Sequence, residues 1–120
     1  MKITAACLLL ATACQNPGKS KQDFIPGTYV KSAKGEYSIA DDTLIIQHID
    51  GNGYQITQQT TYQAIRDGKL LPKKHMLQHL SASWDDQKQE LDETTTGKIF
   101  HVDPGKQVLT VNQATYHKIK

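Results

Sequence analysis

From Gly27 onward, turn-forming residues recur at intervals of about 8 to 16 residues, and this punctuation is the tightest constraint on the fold. Lys34-Gly35 follows "GTYVKS", Asp41-Asp42 follows "EYSI", and Asp50-Gly51-Asn52-Gly53 follows "TLIIQHI". Asp67-Gly68 then closes "YQITQQTTYQAI", and Asp-Gly between two such runs is a strong signal for a two-residue hairpin. Asp85-Asp86-Gln87-Lys88, Gly97-Lys98 and Asp103-Pro104-Gly105-Lys106 continue the series. The intervening runs are rich in Thr, Val, Ile and aromatics, which suit a pleated, half-buried surface. The expected fold is all-β: an antiparallel meander forming a small lipocalin-like barrel or a two-sheet sandwich.

One segment admits two readings. In "LLPKKHMLQHLSASW", Met76, Leu77 and Leu80 fall at helical spacing after Pro72, which is tolerated at a helix start. As a strand, it places Met76, Leu80, Ala82 and Trp84 on one face and His75, Leu77 and His79 on the other. The strand is preferred, with Pro72 at its start or on an edge. In the preceding run Tyr54, Ile56, Tyr62 and Ala64 share a face that Gln58 and Thr60 interrupt, which predicts a bulge or a partly wet interior.

A chain of 120 residues, 38% hydrophobic, is sized for one domain. Its 14 basic and 12 acidic side chains are scattered and leave a net charge of only +2, so no basic stripe marks a nucleic-acid partner.

The N-terminus is different in kind. Lys2 precedes an apolar stretch, Ile3 to Ala13, interrupted only by Thr4, Cys7 and Thr12. It is shorter than the roughly 20 residues a spanning helix needs, and has the length of a signal-peptide core. Ala11 and Ala13 would also permit ordinary cleavage after Ala13. The next residue is cysteine, and Leu10-Ala11-Thr12-Ala13-Cys14 resembles the bacterial lipobox, departing from its commonest form at Ala11. That resemblance implies a lipoprotein: residues 1–13 a signal peptide, Cys14 the lipidated first residue of the mature chain, and a membrane attachment through its acyl chains. It also implies a cell-envelope location, and Gln15, in place of an inner-membrane-retaining aspartate, points to the outer membrane. Two or three acyl chains, at about 0.8 kcal/mol per buried methylene, hold where one would be marginal. The mature chain would then keep no free thiol, because Cys7 leaves with the leader and Cys14 is the other cysteine. Residues 14–23 read as a lipidated flexible tether whose polar "QNPGKSKQD" part reaches about 30 Å when extended, and residues 24–120 as a single β domain.

Few residues invite chemistry. His75 and His79, four apart, are metal-ligand candidates if His48, His101 or His117 supplies a third nitrogen; surface or half-buried histidines are the simpler account. The carboxylate pairs Asp41-Asp42, Asp85-Asp86 and Asp92-Glu93 are explained by turns, where Asp bonds the local backbone. No nucleophile elbow, Walker loop or zinc-protease motif occurs, so no catalytic residue, metal or cofactor is assigned and the chain is read as a non-enzyme. Trp84, the single tryptophan, is a candidate contact for a ligand or partner, weighed against core packing.

The run "PGTYVKSAKGEYSIADDTLIIQHIDGNGYQI", with the lipobox and the chain length, is similar to small uncharacterised lipoproteins encoded on bacterial conjugative elements. The resemblance implies association with an envelope or transfer apparatus and carries no functional residue with it. Two functions are therefore expected: a non-catalytic interaction module meeting another envelope protein, or a small barrel carrying an apolar ligand in its interior.

Overall fold

The computed structural model describes residues 17–120; the expected signal peptide (residues 1–13) and the expected lipidation site, Cys14, lie outside the described residues. A short helix, α1 (Pro17–Phe24), leads into nine strands: β1 (Gly27–Lys34), β2 (Ser38–Asp50), β3 (Gly53–Arg66), β4 (Lys69–Leu70), β5 (Lys74–Asp85), β6 (Glu90–Glu93), β7 (Ile99–Asp103), β8 (Val108–Val111) and β9 (Ala114–Lys118). Every pairing is antiparallel, and β1 bonds both β2 and β9. The meander β1-β2-β3-β5-β6-β7-β8-β9 thus closes into an eight-stranded barrel, with β4 a hairpin flap on β3. Between the two architectures the sequence allows, the chain adopts the barrel.

Closure follows from alternation. Tyr29, Leu44, Ile46, Tyr54, Ile56, Leu80, Ala82, Trp84, Leu91, Phe100, Val102, Leu109, Val111 and Tyr116 point inward and are buried. Large apolar side chains buried in this way contribute about 1.5–3 kcal/mol each, and together they fill the lumen as a packed core.

The turns do what their residues allow. Asp67 and Gly68 both have positive φ, 52° and 75°, as the hairpin joining Arg66 to Lys69 requires. Two four-residue loops share one design: Asp85 Oδ1 accepts the Lys88 N–H and Gln89 has φ 56°, while Asp103 Oδ1 accepts the Lys106 N–H and Gln107 has φ 57°. Asn112, at φ 55°, makes the β8–β9 turn, which like the β5–β6 loop contains no glycine.

Three expectations need correction. Asp41 and Asp42 are not a turn, because β2 runs unbroken through them; Asp42 faces the barrel mouth and Asp41 accepts the Ser32 hydroxyl at 2.7 Å. Asp92 and Glu93 likewise lie in β6. Of residues 14–23, expected as a flexible tether, 14–16 lie outside the described residues and those from 17 onward belong to the helix Pro17–Phe24. Its C-terminal end is fixed to the barrel floor: the Tyr29 hydroxyl donates to the Phe24 and Ile25 carbonyls, and the Phe24 ring meets Tyr29 edge-on. Lys118 Nζ donates to the Phe24 carbonyl and lies 4.0 Å from the centre of the Phe24 ring, and burial holds its pKa below the usual lysine value.

Candidate functional site: the barrel mouth and the strand arm

The strands are unequal. β2, β3 and β5 have 13, 14 and 12 residues, whereas β6 to β9 have four or five. The excess runs past one end of the barrel as an arm built from the end of β1, the first half of β2, the second half of β3 with β4, and the first half of β5. Continuous register holds it together, from Ser38 opposite Ala64 to Ile46 opposite Ile56, and from Ile56 opposite Leu80 to Tyr62 opposite Lys74. Its tip is bonded too: the Ile65 N–H donates to the Tyr37 carbonyl at 2.8 Å and Gln63 Nε2 to the Leu71 carbonyl at 2.9 Å.

At the arm's root, the inward stripe of β3 turns polar. Thr60 and Gln58 donate to Asp42, and the Tyr116 hydroxyl donates to Asp42 Oδ2 at 2.8 Å. Burial and the Asp42 carboxylate push the Tyr116 pKa above the usual tyrosine value. This is the wet interior anticipated for Gln58 and Thr60; the register irregularity lies instead in β2, between His48 and Asp50. The mouth above this hub is a solvent-open cavity of about 500 Å³, with Leu44, Phe100 and Val111 at its floor and Lys31 and Lys98 among its lining residues.

On the same rim, between β6 and β7, Glu93 is buried and stays ionised. Burial raises its pKa, but the Thr96 hydroxyl and the Thr95 and Thr96 N–H groups donate to the carboxylate and bring it down to about 2. Its carboxylate thereby fixes Thr95 and Thr96, while the Ser81 carbonyl holds Thr94 and the Glu93 N–H donates to the Lys98 carbonyl.

The predicted site residues separate. Trp84 is 2% exposed, with Nε1 aimed at Asp86 Oδ1, so it packs the core and does not offer a contact surface. His75 and His79 lie on the arm, on the β5 face that also carries Leu77, beside the Thr61 and Thr57 hydroxyls. Four residues along a strand put them about 13 Å apart, too far to ligate one ion together. Among the described residues no group of three His, Cys, Asp or Glu side chains is placed to hold a metal.

β5 is bonded to β3 along Lys74–Ser83, but β6 reaches it only from Ala82. Among the described residues, Lys74 to Leu80 thus form an open edge, where Met76 and Leu77 are each 63% exposed on opposite faces. Asp42 as the hub and the open β5 edge were both missed from sequence, although Thr60, Gln58 and Asp42 stand at matching strand parity.

Compared with protein-family models, curated proteins and solved structures, the chain matches none.

Proposed function

We propose that the chain is a lipid-anchored envelope protein acting as a non-catalytic interaction module, held at the membrane through Cys14 and meeting another envelope protein with its strand arm. The arm carries this reading. Globular barrels have no packing reason to extend three strands beyond a filled core, and an exposed sheet with an open edge is a surface on which partners add strands. The lipobox-like Leu10–Cys14 run supports the anchor, and its Gln15 supports an outer-membrane address.

A photo-crosslinking amino acid placed at Gln59 or Thr61 on the arm tests it in intact cells. The expected result is an adduct with a second envelope protein that is absent from a position on the barrel wall such as Thr115. Adducts absent from both arm positions overturn the reading.

A second reading rests on the mouth. A floor of Leu44, Phe100 and Val111 beneath Lys31 and Lys98 suits a small amphiphile with an anionic head better than a wholly apolar ligand in a lumen already filled by side chains. Quenching of protein fluorescence by a fatty-acid probe, lost in Lys31→Glu/Lys98→Glu, would support it, and saturating probe without effect would remove it.

A further inference from the structure

We infer that the open edge of β5 pairs with β5 of a second copy of this chain, antiparallel about a two-fold axis at Leu77, joining two arms into one continuous sheet. This rests on the reading of the arm as a contact surface and names one occupant for its edge.

Three features select a second copy. The first is charge. The arm's two open edges differ: the β1 edge, Lys31 to Lys34, is guarded at both ends by lysine, the usual device against edge pairing. The β5 edge has a lysine at one end only, Lys74, and its central His75-Met76-Leu77-Gln78-His79 contains no lysine, arginine or carboxylate.

The second is self-complementarity. An axis at Leu77 sets Leu77 against Leu77, His75 against His79 and Met76 against Gln78 of the other copy, with Lys74 opposite Leu80. No like charges from Lys, Arg, Asp or Glu meet across the edge, and the only apolar pair on the axis is leucine with itself. The axis also bisects the free stretch. Lys74 begins β5, and the Ser81 carbonyl is already taken by the Thr94 N–H at 2.8 Å, so Lys74–Leu80 is the unpaired span and Leu77 is its centre.

The third is backbone parity. The Ser81 carbonyl points away from β3, and the Trp84 N–H points toward it, donating to the Asn52 carbonyl at 2.8 Å. Odd-numbered residues of β5 therefore turn their N–H and C=O groups to the open edge. The proposed axis pairs odd with odd, so the backbone groups of His75, Leu77 and His79 meet their counterparts directly. A register pairing odd with even residues would leave them out of phase.

The register makes a single-cysteine test specific. Directly opposed residues in a hydrogen-bonded pair have Cα atoms about 5.5 Å apart, within disulfide reach, whereas positions 75 or 79 on the two copies lie well beyond it. In the full chain, with the parent containing Cys7 and Cys14 as baseline, Leu77→Cys is expected to give a covalent dimer on non-reducing gels. His75→Cys and His79→Cys should each stay at baseline alone and cross-link when co-expressed. Sedimentation of the detergent-solubilised full chain should show a dimer that Leu77→Lys converts to monomer with an unchanged far-UV spectrum, since position 77 is exposed. A parent that is monomeric at every concentration, or equal cross-linking from all three positions, overturns the pairing. Monomer with arm adducts to another envelope protein removes this inference alone; dimer without such adducts removes the heterologous contact alone.

Discussion

The Tyr116 hydroxyl donates to Asp42 Oδ2 at 2.8 Å across 74 residues of sequence. The bond joins β9 to β2 over the β1 strand that lies between them, so it acts as a strap at the point where the barrel closes. Gln58 and Thr60 bring β3 into the same carboxylate. One acidic side chain thereby holds three strands where the apolar core gives way to the arm.

Removing the strap should cost measurable stability. Tyr116→Phe leaves the ring in the core but takes away a donor to a carboxylate, and such bonds are worth about 1.5–3 kcal/mol. Urea unfolding is expected to show a loss in that range with little change in m value. A midpoint indistinguishable from the parent would mean that Gln58 and Thr60 satisfy Asp42 unaided.

Glu93 predicts an acid limb. Its folded-state pKa of about 2 lies below the ordinary glutamate value, so the contribution is complete above that ordinary value and fades as pH falls through about 2. Glu93→Gln should therefore be less stable than the parent at neutral pH, and the two unfolding midpoints should converge as the pH approaches about 2. Parallel curves across that window would show that Glu93 titrates normally.

Much of this fold is legible from turn chemistry. Asp67-Gly68 could be placed from the sequence because two successive positive φ angles suit few other pairs. Asp41-Asp42 misled for the same reason: paired aspartates favour turns locally, and only the arrival of Tyr116, Gln58 and Thr60 from distant strands makes a mid-strand Asp42 stable. The strand reading of Lys74–Asp85 held, yet its alternation could not reveal that Met76 outruns the core that buries Leu80, since depth along a barrel depends on the lengths of the neighbouring strands. The helix at Pro17–Phe24 was hidden because its sequence is polar; the contacts that fix it are made by Phe24 with Tyr29 and Lys118.

Core and arm should respond oppositely to truncation. Trp84→Ala removes a buried indole and should cost about 3–5 kcal/mol, whereas Met76→Ala on the exposed arm should stay within about 0.5 kcal/mol of the parent. Trp84 emission should also resist acrylamide until the chain unfolds. Equal costs at both positions would mean that the arm is part of the cooperative core.

Gly27 gives the sharpest steric prediction. Its φ is 151°, and a Cβ there would sit 2.3 Å from the Lys120 carbonyl oxygen and 2.6 Å from Lys118 Cε. The lysine side chain can move. The carbonyl is harder to displace, because the Thr28 N–H donates to that same Lys120 oxygen and the Ile119 N–H donates to the Thr28 carbonyl, which together stitch β1 to the chain end. Gly27→Ala must therefore either break this stitch or distort β1 where it also pairs with Ile46. A loss of about 2–3 kcal/mol is expected, in the range for a residue forced into a sparsely populated backbone region plus a clash. Gly51→Ala is the control: its φ is 52°, no atom lies within 4 Å of the added methyl, and the cost should be about 1 kcal/mol. Thermal unfolding of the two variants side by side separates close approach from conformational preference, and equal shifts would show that the closing seam yields without loss.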